Sequence, residues 1–168
     1  VFLDTDGDGA KEIVFGTASN QVIALDAADG RTKWMTRVGD AITALKIIGS
    51  PAGREETLAA TEAGELYALD RGGRILRWTS FGGGISAMEH DAAGPDGGQI
   101  FLGLADGRLV MCHSSFSPKA MMKTGGEPVR GIQISREEDN RRIIRVVTER
   151  RVLRLSCPVY ALRPSRHH

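Results

Sequence analysis

The chain has 168 residues, 41% of them hydrophobic, with 22 Lys plus Arg against 21 Asp plus Glu. That suits one domain of ordinary size with a packed core and excludes a disordered chain. A formal charge of +1 argues against a dedicated nucleic-acid or polyanion binder, and no apolar stretch approaches the ~18 residues of a membrane helix.

Glycine accounts for 21 residues, which points to many tight turns rather than long helices. No stretch shows a 3.6-residue apolar period, so the predicted elements are short strands. Val1–Leu3, Glu12–Thr17, Gln21–Asp26 and Lys33–Arg37 come first. Ile42–Ile48, Thr57–Thr61, Leu66–Asp70 and Ile75–Ser80 follow. Next are Ile85–Glu89, Gln99–Leu104, Leu109–His113 and Lys119–Lys123. Val129–Ile134, Ile143–Thr148, Val152–Ser156 and Val159–Leu162 close the series. Ala63-Gly64 and Asp106-Gly107 join second to third strands, and Asp29-Gly30 and Gly72-Gly73 join third to fourth.

These strands repeat. A small residue recurs at Gly16, Ala60, Gly103 and Val147, in steps of 44, 43 and 44. The position after the third strand recurs at Asp26, Asp70, His113 and Cys157 with the same steps. Trp34 and Trp78 are 44 apart, and Met121 follows after 43. A four-stranded unit about every 44 residues is the spacing of a propeller blade. We therefore expect an all-β propeller of four blades, near 1–40, 41–83, 84–127 and 128–168. Four blades are few, every unit owns its four strands, and Val1-Phe2-Leu3 already reads as a strand. The expectation is part of a larger seven- or eight-bladed propeller, its remaining blades in a longer chain or a homodimer.

The best chemical motif is Asp4-Thr5-Asp6-Gly7-Asp8-Gly9-Ala10-Lys11-Glu12. Calcium takes six to eight hard oxygen ligands on a curled backbone. Asp4, Asp6 and Asp8 supply carboxylates at alternate positions, Ala10 a carbonyl and Glu12 a further carboxylate, while Gly9 stands where the turn is sharpest. Four acids in nine residues repel one another without a cation. The expected ion is a structural Ca²⁺; the alternative is a metal-free turn built from Asp and Gly. Position twelve of an EF-hand loop would be Phe15, and no helices flank it. The loop resembles instead the calcium loops of FG-GAP and VCBS-type propeller repeats.

The run Ala24-Leu25-Asp26-Ala27-Ala28-Asp29-Gly30-Arg31-Thr32-Lys33-Trp34 resembles the tryptophan-docking motif of the quinoprotein-like (PQQ-like) β-propellers. A second copy runs from Ala68-Leu69-Asp70 to Trp78 with its Gly shifted by one. The resemblance implies that Trp34 and Trp78, with Asp26 and Asp70, dock neighbouring blades. Enzymes of that family carry adjacent cysteines that clamp the quinone. Here Cys112 and Cys157 stand far apart, so no PQQ is expected. Those two cysteines read as buried free thiols or as a disulfide, with no zinc spacing.

No GxSxG, HExxH, P-loop or Rossmann fingerprint is present. Gly82-Gly83-Gly84 reads as a turn between blades, and His90 and His113 are isolated. Glu89-His90-Asp91 is an acid-base trio in sequence, but consecutive strand residues point to opposite faces. Residues 136–168 hold 9 Arg against 4 acids, a solvated rim or a contact surface. The function expected is a non-catalytic interaction scaffold, an accessory domain of a larger extracytoplasmic protein, periplasmic or secreted. Its partner would be a protein or a polysaccharide. The alternatives are a fragment of a quinoprotein dehydrogenase or of a calcium-dependent polysaccharide lyase, and an outer-membrane assembly scaffold. No basic-plus-apolar leader is visible.

Overall fold

A computed structural model of the chain describes residues 1–5, 7–49, 54–93, 98–137 and 141–157, the side chain of the last excepted. Every regular element among them is a β-strand. The first sheet holds β1 (Phe2–Leu3), β2 (Glu12–Gly16), β3 (Gln21–Leu25) and β4 (Thr32–Arg37). The second holds β5 (Ile42–Gly49), β6 (Glu55–Thr61), β7 (Glu65–Leu69) and β8 (Ile75–Ser80). The third holds β9 (Ile85–Asp91), β10 (Gln99–Leu104), β11 (Arg108–His113) and β12 (Pro118–Lys123). The fourth holds β13 (Val129–Arg136), β14 (Arg142–Thr148) and β15 (Val152–Cys157). Within each sheet the strands lie in sequence order and pair antiparallel. The predicted strand Val159–Leu162 lies outside the described residues.

The sheets stack face to face as propeller blades, with one apolar core in each gap. Leu3, Val14, Val22 and Ala24 of the first sheet meet Ala59, Tyr67 and Leu69 of the second. Leu58, Ala60, Leu66 and Ala68 meet Ile100, Leu102, Val110 and Cys112 of the third. Phe101 and Leu109 meet Ile144 and Val146 of the fourth. Central strands are therefore covered on both faces, and β6 and β10 bury nearly every residue. In the first sheet β2 alternates buried and exposed, because only one of its faces is covered by a described neighbour. The first strands β5, β9 and β13 pack against one another, so they lie nearest the common axis.

Two devices bring those inner strands close, and both recur with the repeat. A Cβ added to Gly16 would fall 2.3 Å from Ile42 Cγ2, and one added to Gly103 would fall 2.3 Å from Val129 Cγ1. The small residue thus makes room for the first residue of the following blade. Beside it stands a hydroxyl. Thr43 Oγ1 lies 2.6 Å from the Ile85 carbonyl oxygen and 3.2 Å from that of Ala60. Ser86 Oγ lies 2.6 Å from the Val129 carbonyl oxygen and 3.2 Å from that of Gly103. Each hydroxyl donates its single proton across the gap to a backbone carbonyl of the following blade.

Gly103→Ala should lower stability by about 1–3 kcal/mol, the usual cost of overpacking. Urea unfolding would read this as a lower midpoint at unchanged slope. In a Val129→Ala background the same substitution should cost less, because the nearest clashing methyl is gone and the Cβ at 2.6 Å remains as the closest side-chain contact.

Candidate functional site

The Asp4–Glu12 loop is a tight turn closed by its own side chains. Asp4 Oδ1 accepts the Gly7 N–H at 2.6 Å, and its Oδ2 accepts the Gly9 N–H at 3.2 Å. Asp8 Oδ1 accepts the Ala10 N–H at 2.7 Å. Gly7 and Gly9 hold φ of +82° and +88°. Glu12 is buried, and its Oε2 accepts the Thr5 N–H at 2.6 Å and the Thr5 hydroxyl at 2.7 Å. Asp6 lies outside the described residues. Among the described residues, no group of three or more acidic, His or Cys side chains converges on one point. So Asp4 and Asp8 share one turn near solvent, while Glu12 is turned inward onto Thr5.

The predicted docking residues divide. Asp26 caps its turn through the Ala28 N–H at 2.8 Å and pairs with Lys33 at 3.5 Å. Asp70 does the same through the Arg74 N–H at 2.9 Å and the Arg74 Nε at 3.2 Å. Trp34 lies over Gly73 in the next blade. A Cβ there would meet its ring at 2.5 Å, and Gly73 has φ +80°, so only glycine suits the place. The Thr36 hydroxyl donates to the Gly73 carbonyl and fastens the same contact.

Trp78 goes elsewhere. The turn from Asp70 to Gly73 is one residue shorter than the turn from Asp26 to Gly30, so the register slips. Ala24 faces Trp34, but the matching Ala68 faces Arg77, and Trp78 faces Tyr67 instead. A slip of one residue moves a side chain to the opposite face of its strand. Trp78 is consequently 58% exposed and stacks on Tyr67 of its own sheet, ring centroids 5.9 Å apart. Arg77 takes the forward position. Its Cζ lies 4.7 Å from the Phe116 ring centroid, its Nε donates to the Ser114 carbonyl at 3.1 Å, and its Nη2 pairs with Glu56 at 2.6 Å. Phe116 occupies the turn position of Gly73 and likewise has a positive φ, +74°. A second slip affects the last unit. Gln99 pairs with His113, but Ile143, 44 residues on, pairs with Ser156 rather than Cys157.

The third gap holds a polar cluster that the sequence did not announce. Arg142 Nη1 donates to Asp91 Oδ2 at 3.0 Å and to Gln99 Oε1. Arg136 Nη2 donates to both Asp91 oxygens, at 3.2 and 3.3 Å. Burial alone would raise the Asp91 carboxyl; the hydrogen bonds from Arg142 and Arg136 outweigh it and hold its pKa below the ordinary value. The Arg142 guanidinium also lies 5.2 Å from the Phe101 ring centroid. The sequence trio is dispersed. Glu89 pairs with Lys46, Asp91 with the two arginines, and the His90 ring is pushed below its usual pKa by burial, against the pull of Asp91. Cys112 is a buried free thiol, its pKa driven up to about 12 by burial, and therefore unreactive.

Next to this cluster the described residues leave the gap incompletely filled. A cavity of about 120 Å³ opens between the third and fourth sheets, lined by Phe101, Met111, Ala120, Met122, Ile144 and Leu155 among others. No helix among the described residues is long and apolar enough to cross a membrane.

The stacked four-stranded sheets, the ~44-residue repeat and the Trp34–Gly73 junction define a β-propeller of the quinoprotein-like class. Within that class the chain belongs to the family described as outer membrane protein assembly factor BamB, which matches residues 7–149. No curated protein matches it. Among solved structures it is similar to BBS1N in complex with ARL6DN. In the mercury-soaked crystal the TM-score is 0.72 at 12% identity, over 93% of this chain and 49% of the other. In the lead-soaked crystal the TM-score is 0.72 at 14% identity, with the same coverage. The chain thus spans about half the length of these solved structures, and at such identities the likeness is one of fold.

Removing the Asp91 carboxylate tests the polar cluster. Because its pKa is depressed in the folded state, its contribution is complete above the unfolded value of about 3.9 and is lost as pH falls through the folded pKa. Asp91→Asn should cost about 3 kcal/mol at neutral pH, the usual penalty for stranding buried arginine charge. It should also flatten the fall in stability below about pH 4, measured by urea unfolding across pH.

Proposed function

We propose that the chain is a non-catalytic propeller scaffold that binds a protein partner, as an accessory part of a larger extracytoplasmic protein. One observation carries this reading: the polar groups buried between the sheets brace neighbouring elements. Glu12 holds Thr5, Glu56 holds Arg77, and Asp91 with Gln99 holds Arg142. Such pairs keep blades rigid and in register, which suits a surface that recognises rather than reacts. The family description, an outer-membrane assembly factor, supports both a protein partner and a place outside the cytoplasm. The similar solved structure is also that of a complex.

The first sheet supports a further part of the reading. Its outward face carries Phe2, Ile13 and Met35, all exposed, beside half-buried Phe15 and Ile23. The second sheet uses the matching positions, among them Ala59, Tyr67 and Leu69, to pack on its neighbour. We read the outward face as the seat of another blade, from the same polypeptide or from a second copy. The natural gene product should then have an intact mass well above 18.1 kDa, or the 168-residue chain should sediment as a dimer. A monomer of 18.1 kDa overturns this part. For the scaffold itself, cross-linking in cells that produce the natural gene product should identify a protein that re-forms a complex from purified components with micromolar or tighter Kd. Failure to reconstitute overturns it.

We also propose that the Asp4–Glu12 loop holds one structural Ca²⁺. The donor chemistry supports it: Asp4, Asp6, Asp8, the Ala10 carbonyl and Glu12 are all hard oxygens within nine residues. Thr5 anchors Glu12 through Oε2, which accepts its N–H and its hydroxyl. Calcium at 100 times Kd would stabilise the fold by about 2.7 kcal/mol, raising Tm by roughly 5–10 °C. The gain should vanish in Asp6→Ala and Asp8→Ala, and an unchanged Tm in millimolar calcium after chelation overturns the site.

A further inference from the structure

Each of the first three sheets meets the one after it through the same few positions of its second and third strands. Val14 faces Ala24, Leu58 faces Ala68 and Phe101 faces Met111 across those strands. These side chains belong to the three apolar cores. Two residues further on stands a small residue, Gly16, Ala60 or Gly103, where the next inner strand begins. A Cβ at either glycine would already lie 2.3 Å from Ile42 or Val129.

The fourth sheet departs at these positions. Arg142, Ile144 and Val146 of β14 face the third sheet, so the alternating Arg145 and Val147 face away from it. Arg145 stands where the repeat has Val14, Leu58 and Phe101, and it faces Arg154 on β15. Val147 stands where the repeat has Gly or Ala, and it is 38% exposed. A blade seated as in the other seams would press its first inner-strand side chain into the Val147 methyls. It would also take the Arg145 guanidinium, whose Nη1 donates to Ser135 Oγ at 3.0 Å, out of water, and cover the Arg154–Glu137 pair. Overpacking and desolvated charge both oppose that. The outward face of the first sheet is the opposite case, with apolar Phe15, Ile23 and Met35 in cross-strand register.

We propose that the fourth sheet is a terminal face that seats no further blade of this repeat, and that the blade on the first sheet comes from polypeptide outside these 168 residues rather than from a second copy. A second copy can offer a blade to the first sheet only through its own fourth sheet, because its first three sheets already use their forward faces in the three cores. Arg145 and Arg154 would then meet Phe15 and Ile23. This rests on the reading of the first sheet's outward face as a blade seat, and it fixes the direction in which the stack of blades grows.

Sedimentation velocity of the 168-residue chain over a concentration series tests it, beside thermal unfolding of the natural gene product. The unsubstituted chain should stay monomeric. Restoring the repeat residues together, with Arg145→Leu, Val147→Gly and Arg154→Ala, should make the apparent mass at least double with concentration. Arg145→Leu with Val147→Ala, the choice of the second sheet, serves if the triple variant does not fold. Adding Ile23→Glu on the first sheet should abolish the new association. In the natural gene product Ile23→Glu should lower Tm by at least about 5 °C more than it does in the 168-residue chain. Val147→Trp should move Tm there by less than about 2 °C. Association of the unsubstituted chain that Val147→Trp abolishes overturns the terminal face. Association that survives Val147→Trp and is lost in Ile23→Glu means that copies meet through their first sheets, and overturns the assigned occupant. A Val147→Trp loss in the natural product as large as that of Ile23→Glu also overturns the proposal. Where Ile23→Glu does lower Tm there, restored variants that fold and stay monomeric overturn it as well. An Ile23→Glu effect equal in both proteins refutes the blade seat alone and leaves the terminal face standing.

Discussion

A four-stranded sheet cannot bury either of its faces by itself, and the rest of this molecule depends on how neighbouring sheets cover them. Close approach at the inner strands sets the geometry. Gly16 and Gly103 stand where the next blade's Ile42 and Val129 press in, and Ala60 lies buried in the same core as Ile85. Once the strands are that close, backbone carbonyls at the seam lose water, and Thr43 and Ser86 donate to those of Ile85 and Val129. The three apolar cores then fill the space farther out. Each device recurs because each gap poses the same problem.

Away from the inner strands the gaps diverge, and turn length is the reason. One residue fewer before β8 puts Arg77 where Trp34 stood and sends Trp78 to the opposite face. The second gap therefore closes on a cation over an aromatic ring rather than on an indole over glycine. Phe116 at positive φ is part of that exchange, since its ring rather than a bare backbone meets the incoming side chain. Among the described residues the third gap shows neither solution, and Ala120 leaves room. A repeat protein gains individuality this way. The common frame is kept, and the outer contacts are free to become binding features.

The buried polar groups follow the same logic. Glu12, Glu56 and Gln99 occupy one repeat position, yet each is satisfied differently, by Thr5, Arg77 and Arg142. Burying such groups costs free energy unless their hydrogen bonds are complete. Partners drawn from the same or the following blade make each seam specific to one pair of sheets. Asp91 held by two arginines is the strongest instance, because its carboxylate balances guanidinium charge that the closed seam shields from water.

The strands themselves were legible residue by residue, since alternation, Gly-Asp turns and a ~44-residue period are local signals. β8 at Ile75–Ser80 and β10 at Gln99–Leu104 match the sequence reading in full, and the other described strands differ by one or two residues at their ends. The period also carried Trp34 and Trp78 as equivalent, which they are along the chain but not in space. Counting residues cannot reveal which face a side chain takes when a turn loses one residue, because that depends on the hydrogen-bond register across the hairpin. The Arg142–Asp91 cluster and the cavity beside Ala120 were invisible for a related reason. Their parts lie up to 54 residues apart and meet only when the fourth sheet closes on the third. The sequence by itself determined a chain of repeating antiparallel sheets with an acidic loop at one end. Only the tertiary structure decided what fills each gap, because packing between sheets joins residues that no local pattern connects.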